Sequence, residues 1–129
     1  MPANHGSTIL VVDDDRAVLG MLEQALREAG YRVLTADSGR GAIEVYENAG
    51  EPIHLLLTDV IMPDLTGPVV AERLRRSQPE LQVLFISGFH DADLVQRFVS
   101  LRGFTLLPKP FTPEALLRVV QEALTEVPR

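Results

Sequence analysis

The chain has no cysteine in its 129 residues. That excludes disulfides, zinc-thiolate sites and thiol catalysis, and a reducing cytoplasm is the expected compartment. Positive charge is scarce: twelve residues are Lys or Arg, and only Lys109 is lysine. With a formal net charge of -6 and a pI near 5.0, the chain lacks the clustered cations that phosphate-backbone binding needs, so no direct nucleic-acid partner is expected. Arg73, Arg75 and Arg76 are the local exception, expected at a helix C-terminus where cations complement the dipole. No apolar stretch approaches the ~20 residues that cross a bilayer, so no membrane contact is expected of this domain. Met1 to Ser7 is polar and lacks the apolar segment of a signal peptide, which makes residues 1–7 a flexible tail. The remainder, residues 8–127 with the chain 46% hydrophobic overall, is one domain able to bury one core.

The lone lysine stands between two prolines directly after the apolar run Phe104 to Leu107. Arginine is a broad planar fork, whereas lysine is a compact, mobile point charge that can reach into a crowded site. Taken alone, Lys109 reads equally well as a chance survivor on the surface. Three other apolar runs bear on the choice. Ile9 to Val12 runs into Asp13-Asp14-Asp15, Ile53 to Thr58 runs into Asp59, and Leu81 to Ile86 runs into Ser87-Gly88. Acids, a hydroxyl and an ammonium at strand ends form the inventory of a metal-assisted phosphoryl-transfer site.

Periodicity alternates strand and helix five times. Strands are expected at Thr8 to Val12, Tyr31 to Ala36, Ile53 to Thr58, Leu81 to Ile86 and Phe104 to Leu107. Between and after them come helices from Arg16 to Ala29, from a Ser38 cap to about Ala49, and from Thr66 and Pro68 to before Pro79. Two more run from Asp91 or Asp93 through Leu94, Phe98 and Leu101 to Gly103, and from Thr112-Pro113-Glu114 onward. Gly39 and Gly41 weaken the first turn of the second helix. Short connections and right-handed crossovers imply a parallel sheet with helices on both faces. With the strand order 2-1-3-4-5, the ligand crevice lies between strands one and three, where the acids are.

Carboxylates converging there repel one another unless a cation or protons intervene. A hard divalent ion with oxygen ligands, Mg²⁺ above all, resolves the conflict. Asp15 reads as the N-cap of the first helix. One cap needs one acid, so Asp13 and Asp14 are left for the crevice. Asp59 could instead form a turn before Pro63, the weaker reading given its place opposite the first acids.

The segments Ile9 to Asp14, Leu55 to Gly67, Val83 to Gly88 and Leu107 to Phe111 together resemble the receiver domain of two-component response regulators. The combination is specific: an acid pair after strand one, Asp59 followed by Val-Ile-Met-Pro with Gly67 eight positions on, a hydroxyl after strand four, and Lys-Pro-Phe after strand five. The resemblance covers residues 8–126 and implies a flavodoxin-like (βα)5 doubly wound sheet. It implies that Asp59 is the phosphoacceptor, Asp14 a direct Mg²⁺ ligand, Asp13 an acid holding metal-bound water, and Ile61 a ligand through its backbone carbonyl. Ser87 and Lys109 would each take a phosphoryl oxygen, with the Lys109-Pro110 bond cis.

The implied partner is a histidine kinase or a histidine phosphotransfer protein. The implied catalysis is limited to the domain's own phosphorylation and dephosphorylation. Leu65 to Arg76 and Leu106 to Leu117 look most like receivers fused to hybrid sensor kinases. The chain stops after its last helix, so it is expected to be a stand-alone receiver or one cut from a larger protein. None of His5, His54 and His90 suits a phosphohistidine carrier. Two rival readings remain: a small Mg²⁺-dependent phosphohydrolase, which could use the same acids but would want an acid where Ile61 stands, and a phosphate-silent interaction module of the same fold, which would tend to lose the acid pair or the lysine. The resemblance also shows a departure. Receivers that drive an output domain usually carry an aromatic three residues before the lysine, and here that residue is Leu106.

Overall fold

A computed structural model describes residues 6–88 and 104–125. The helix expected around Leu94, Phe98 and Leu101 lies outside the described residues, as do His5 and His90. The elements run β1 (Thr8–Val12), α1 (Arg16–Glu28), β2 (Arg32–Ala36), α2 (Gly39–Glu47), β3 (Leu55–Asp59), α3 (Gly67–Ser77), β4 (Gln82–Ser87), β5 (Thr105–Pro108) and α4 (Pro113–Thr125). The five strands form one parallel sheet, as the periodicity implied, in the order β2-β1-β3-β4-β5 that the resemblance implied.

Alternation along the strands divides the core in two. Leu10, Val12, Leu56, Val83 and Phe85 face α2 and α3 with Ala42, Val70 and Leu74. Ile9, Val11, Leu55, Leu57, Leu84 and Ile86 face α1 and α4 with Leu22, Leu26, Leu116 and Val120. Both faces of the central strands are therefore dry, and their apolar runs are unbroken for that reason.

Four strands start one or two residues later than their apolar runs, and three end one residue later. Ile53 and Leu81 are almost fully buried but precede the ladder, closing the core beneath the helices. At the other end Asp59 pairs with Ile86, and Ser87 with Pro108, so polar residues belong to the strands themselves. His54 lies at the opposite end of the sheet, where its Nδ1 accepts from the Thr8 N–H at 2.9 Å and its own N–H donates to the Thr8 carbonyl at 2.9 Å.

The caps follow the sequence closely. Asp15 accepts from the Ala17 and Val18 amides, Ser38 from Gly41, Thr66 from Val69 and Thr112 from Ala115. Arg75 and Arg76 lie in the last turn of α3. Arg75 also donates to the Leu81 carbonyl at 2.9 Å, with its guanidinium 4.5 Å from the Phe104 ring centroid.

Candidate functional site

Register brings the strand ends into one row. Val12 pairs with Thr58 on β3, so the next residues along, Asp13 and Asp59, emerge side by side. On the far side of β3, Ser87 ends β4, and the Lys109 amide donates to the Ser87 carbonyl at 2.8 Å, extending the β4–β5 pairing past the strands. The Lys109-Pro110 peptide is cis. Asp13, Asp59 and Ser87 are buried, Lys109 is partly buried and Asp14 is exposed.

Carboxylate oxygens of Asp13, Asp14 and Asp59 all lie within 4.8 Å of one another, close enough to share one cation. Lys109 Nζ stands 3.4 Å from Asp13 Oδ2 and 3.4 Å from Asp59 Oδ2. These contacts are long for charge-assisted bonds, so the ammonium is poised between two acids rather than locked to either.

The electrostatics follow from burial and crowding. Burial raises the Asp59 pKa, the charge of Asp13 raises it further, and Lys109 opposes the rise. Asp13 is also raised, first by burial, against the Asp15 amide that donates to its Oδ1 at 2.9 Å and against Lys109. Burial alone would lower Lys109, but Asp59 and then Asp13 outweigh it, and its pKa stands above the ordinary 10.5.

The sign of the stability effect is fixed by these directions. Acids that hold protons more tightly folded than unfolded favour the fold at low pH; that advantage is lost as pH rises from the ordinary 3.8 through their folded values. Above that window the ionised crevice opposes folding. The ammonium's favourable share persists at neutral pH and is lost only above 10.5. Three carboxylates against one ammonium leave an excess of negative charge, and a hard divalent cation with oxygen ligands matches that donor set.

Every residue singled out at a strand end is thus gathered at this edge, and Ile61, an exposed residue, follows two positions after Asp59. Two contributors were not evident from the run of residues. Thr58 is fully buried, and its hydroxyl donates to the Asp59 carbonyl at 2.9 Å. Asp64 reaches across to α2, where its carboxylate accepts from the Gly39 amide at 3.0 Å and the Arg40 amide at 2.8 Å. Nothing in the run of residues singled out Asp64.

Residues 9–121 match the family described as response regulator receiver domain. The sensor kinase CckA of Brucella abortus (strain 2308) is 34% identical over 118 residues, which are 92% of this chain but 12% of that protein. The response regulator receiver protein CpdR of the same organism is 35% identical over 116 residues, 90% of this chain and 95% of that one. Among solved structures, the receiver domain of the hybrid histidine kinase CckA is 33% identical and superposes with a TM-score of 0.77, covering 92% of this chain and 100% of the other. A family match over residues 9–121, with relatives that cover at least nine tenths of this chain, establishes that the chain belongs to the response regulator receiver domains, the phosphoacceptor modules of two-component signalling.

Proposed function

We propose that the chain accepts a phosphoryl group from a phosphohistidine on a histidine kinase or phosphotransfer protein, with Asp59 as the acceptor, and that it relays this group onward. The observation that carries the reading is the buried Asp59 carboxylate flanked at 3.4 Å by the chain's only lysine. A carboxylate is already a nucleophile and needs no general base. Its oxygen forms the new bond to phosphorus as the nitrogen–phosphorus bond of the donor breaks and the imidazole leaves with the electron pair. By opposing the rise in the Asp59 pKa, Lys109 favours the ionised form of the nucleophile.

Mg²⁺, held by Asp13, Asp14, Asp59 and the Ile61 backbone carbonyl, would supply positive charge against the phosphoryl oxygens. Lys109 meets a further oxygen of the group in transfer from its position between the acids. Ser87, whose hydroxyl donates to the Gly88 carbonyl at 3.2 Å, turns to donate to another. Catalysis of this kind is confined to the domain's own phosphorylation and dephosphorylation, in the cytoplasm.

The test is intact mass after incubation with a small-molecule phosphodonor and Mg²⁺. One phosphoryl adduct is expected, absent without Mg²⁺ and absent in Asp59→Asn. Turnover of the donor with no adduct would mark a hydrolase instead, and no reaction a silent module.

Relay rather than effector recruitment is favoured by the packing around β5. Leu106 pairs with Phe85 and is packed, half-buried, against the α2 and α3 side of the core. The aromatic nearby, Phe104, meets Phe85 edge to face at 5.2 Å between centroids and lies beneath the Arg75 guanidinium. A leucine has neither ring nor polar tip, and a ring held on two sides is a poor two-state element. Amide NMR shifts on adding a phosphoryl mimic at Asp59 should therefore change chiefly in the loops at Asp14, Asp59 and Ser87. Equal changes through Thr105 to Leu107, or phosphorylation-dependent dimerisation, would show that Leu106 does not silence the switch.

A further inference from the structure

The loop of residues 60–66 joins the acceptor strand to α3 and carries Ile61. Its ends are pinned: the Val60 amide donates to the Ile86 carbonyl at 3.1 Å, and the Gly67 amide to the Val60 carbonyl at 2.8 Å. Val60 and Met62 are buried. Within this loop Asp64 is hydrogen-bonded to the first two amides of the neighbouring helix α2.

A bland account makes Asp64 a second cap that merely stabilises α2. Two observations weigh against it. Helix α2 already has its own cap, because Ser38 Oγ accepts from the Gly41 amide at 3.0 Å. The partners are also shaped for contact, since a Cβ at Gly39 would lie 2.6 Å from the Leu65 Cβ and 3.2 Å from Val70 Cγ2. Absence of a side chain at Gly39 is what lets the loop close on the helix. The exposed Asp64 carboxylate is held down to a pKa of about 2, first by the Arg40 amide and then by the Gly39 amide, so it stays ionised and engaged at any pH well above 2.

We propose that Asp64 is a positioning residue: by clasping loop 60–66 to the N-terminus of α2, it holds the Ile61 main chain in place for the cation and lets the state of α2 set the cation affinity of the acceptor site. The inference rests on the Mg²⁺-dependent reading of that site. Lost amide protection at α2 would accompany loss of any cap, whereas lost cation affinity should accompany loss of the clasp alone.

The experiment titrates the full chain with Mg²⁺ alone, following amide NMR shifts near Asp59, together with amide exchange at Gly39 and Arg40, which Asp64 holds, and at Gly41, which Ser38 holds. Asp64→Ala should weaken Mg²⁺ binding about fivefold, the effect of one hydrogen bond's net worth. Phosphoryl uptake by this variant should be slow at limiting Mg²⁺ and recover at saturation. Asp64→Asn, which keeps one acceptor oxygen, should fall between, and decides the matter if the alanine variant does not fold. Ser38→Ala should lose α2 protection yet bind Mg²⁺ as the unaltered chain does. Unchanged affinity in Asp64→Ala, or an equal loss in Ser38→Ala, would overturn the clasp while leaving the acceptor reading intact. An unaltered chain that neither binds Mg²⁺ nor takes a phosphoryl group would take down both.

Discussion

Replacing Lys109 with arginine should slow phosphoryl uptake from a small-molecule donor roughly a hundredfold, the scale seen when one preorganised electrostatic donor is lost, although the formal charge is unchanged. The ammonium is a point charge set 3.4 Å from an oxygen of each of two buried acids. A guanidinium is wider, presents a rigid fork, and pairs with carboxylates two bonds at a time. In this crevice it would engage Asp13 or Asp59 in that way and hold the nucleophile's oxygens instead of leaving them for phosphorus. The backbone should tolerate the exchange, because the Lys109 amide, not its side chain, makes the 2.8 Å bond to the Ser87 carbonyl. Stopped-time mass measurements at saturating Mg²⁺ read the rate, and a thermal melt close to that of the unaltered chain would separate chemistry from folding. Normal uptake and normal onward transfer in Lys109→Arg would return the lysine to the standing of a chance surface residue.

Most of the site was legible because a doubly wound sheet converts strand ends into one edge. An unbroken apolar run has to be buried on both faces, and the first polar residue after it stands at the edge where chain direction and strand order place ligands. Asp13, Asp59, Ser87 and Lys109 were found by that rule, and their register in the structure is a consequence of it.

What stayed hidden depends on contacts distant in sequence. The starts of four ladders could not be read; Ile53 and Leu81, for example, are as apolar as true strand residues and differ only in lacking a paired neighbour. Gly39 and Gly41 read as a flaw in the first turn of α2. The compensation comes from Asp64, twenty-five residues beyond Gly39, and no local pattern announces it. Phe104 could be assigned to the same face as Leu106, but its contacts with Phe85 and Arg75 belong to other elements.

The largest stability effect is expected at Gly67, where fold and chemistry meet. A Cβ added there would lie 2.3 Å from the Asp59 carbonyl oxygen, 3.2 Å from the Asp59 carbonyl carbon and 3.2 Å from Thr58 Cγ2. Two of those atoms are backbone and cannot rotate aside, so either the start of α3 or the acceptor strand has to move. The Gly67 amide bond to the Val60 carbonyl at 2.8 Å and the buried Val70 and Ala71 resist the first movement. The second displaces the residue that is phosphorylated. Gly67→Ala is therefore expected to lower stability by ~3 kcal/mol, the upper end for overpacking a close contact, and to slow phosphoryl uptake about tenfold because the nucleophile is misplaced. Gly20, exposed within α1, is the control: a Cβ there meets nothing within 4 Å. Gly20→Ala should raise stability by ~1 kcal/mol through helix propensity alone. Urea unfolding midpoints and phosphodonor kinetics on both variants would settle the point. A Gly67→Ala protein with unchanged midpoint and unchanged rate would mean that α3 can start further from β3 at no cost, and that the close approach at Gly67 does not hold Asp59 in place.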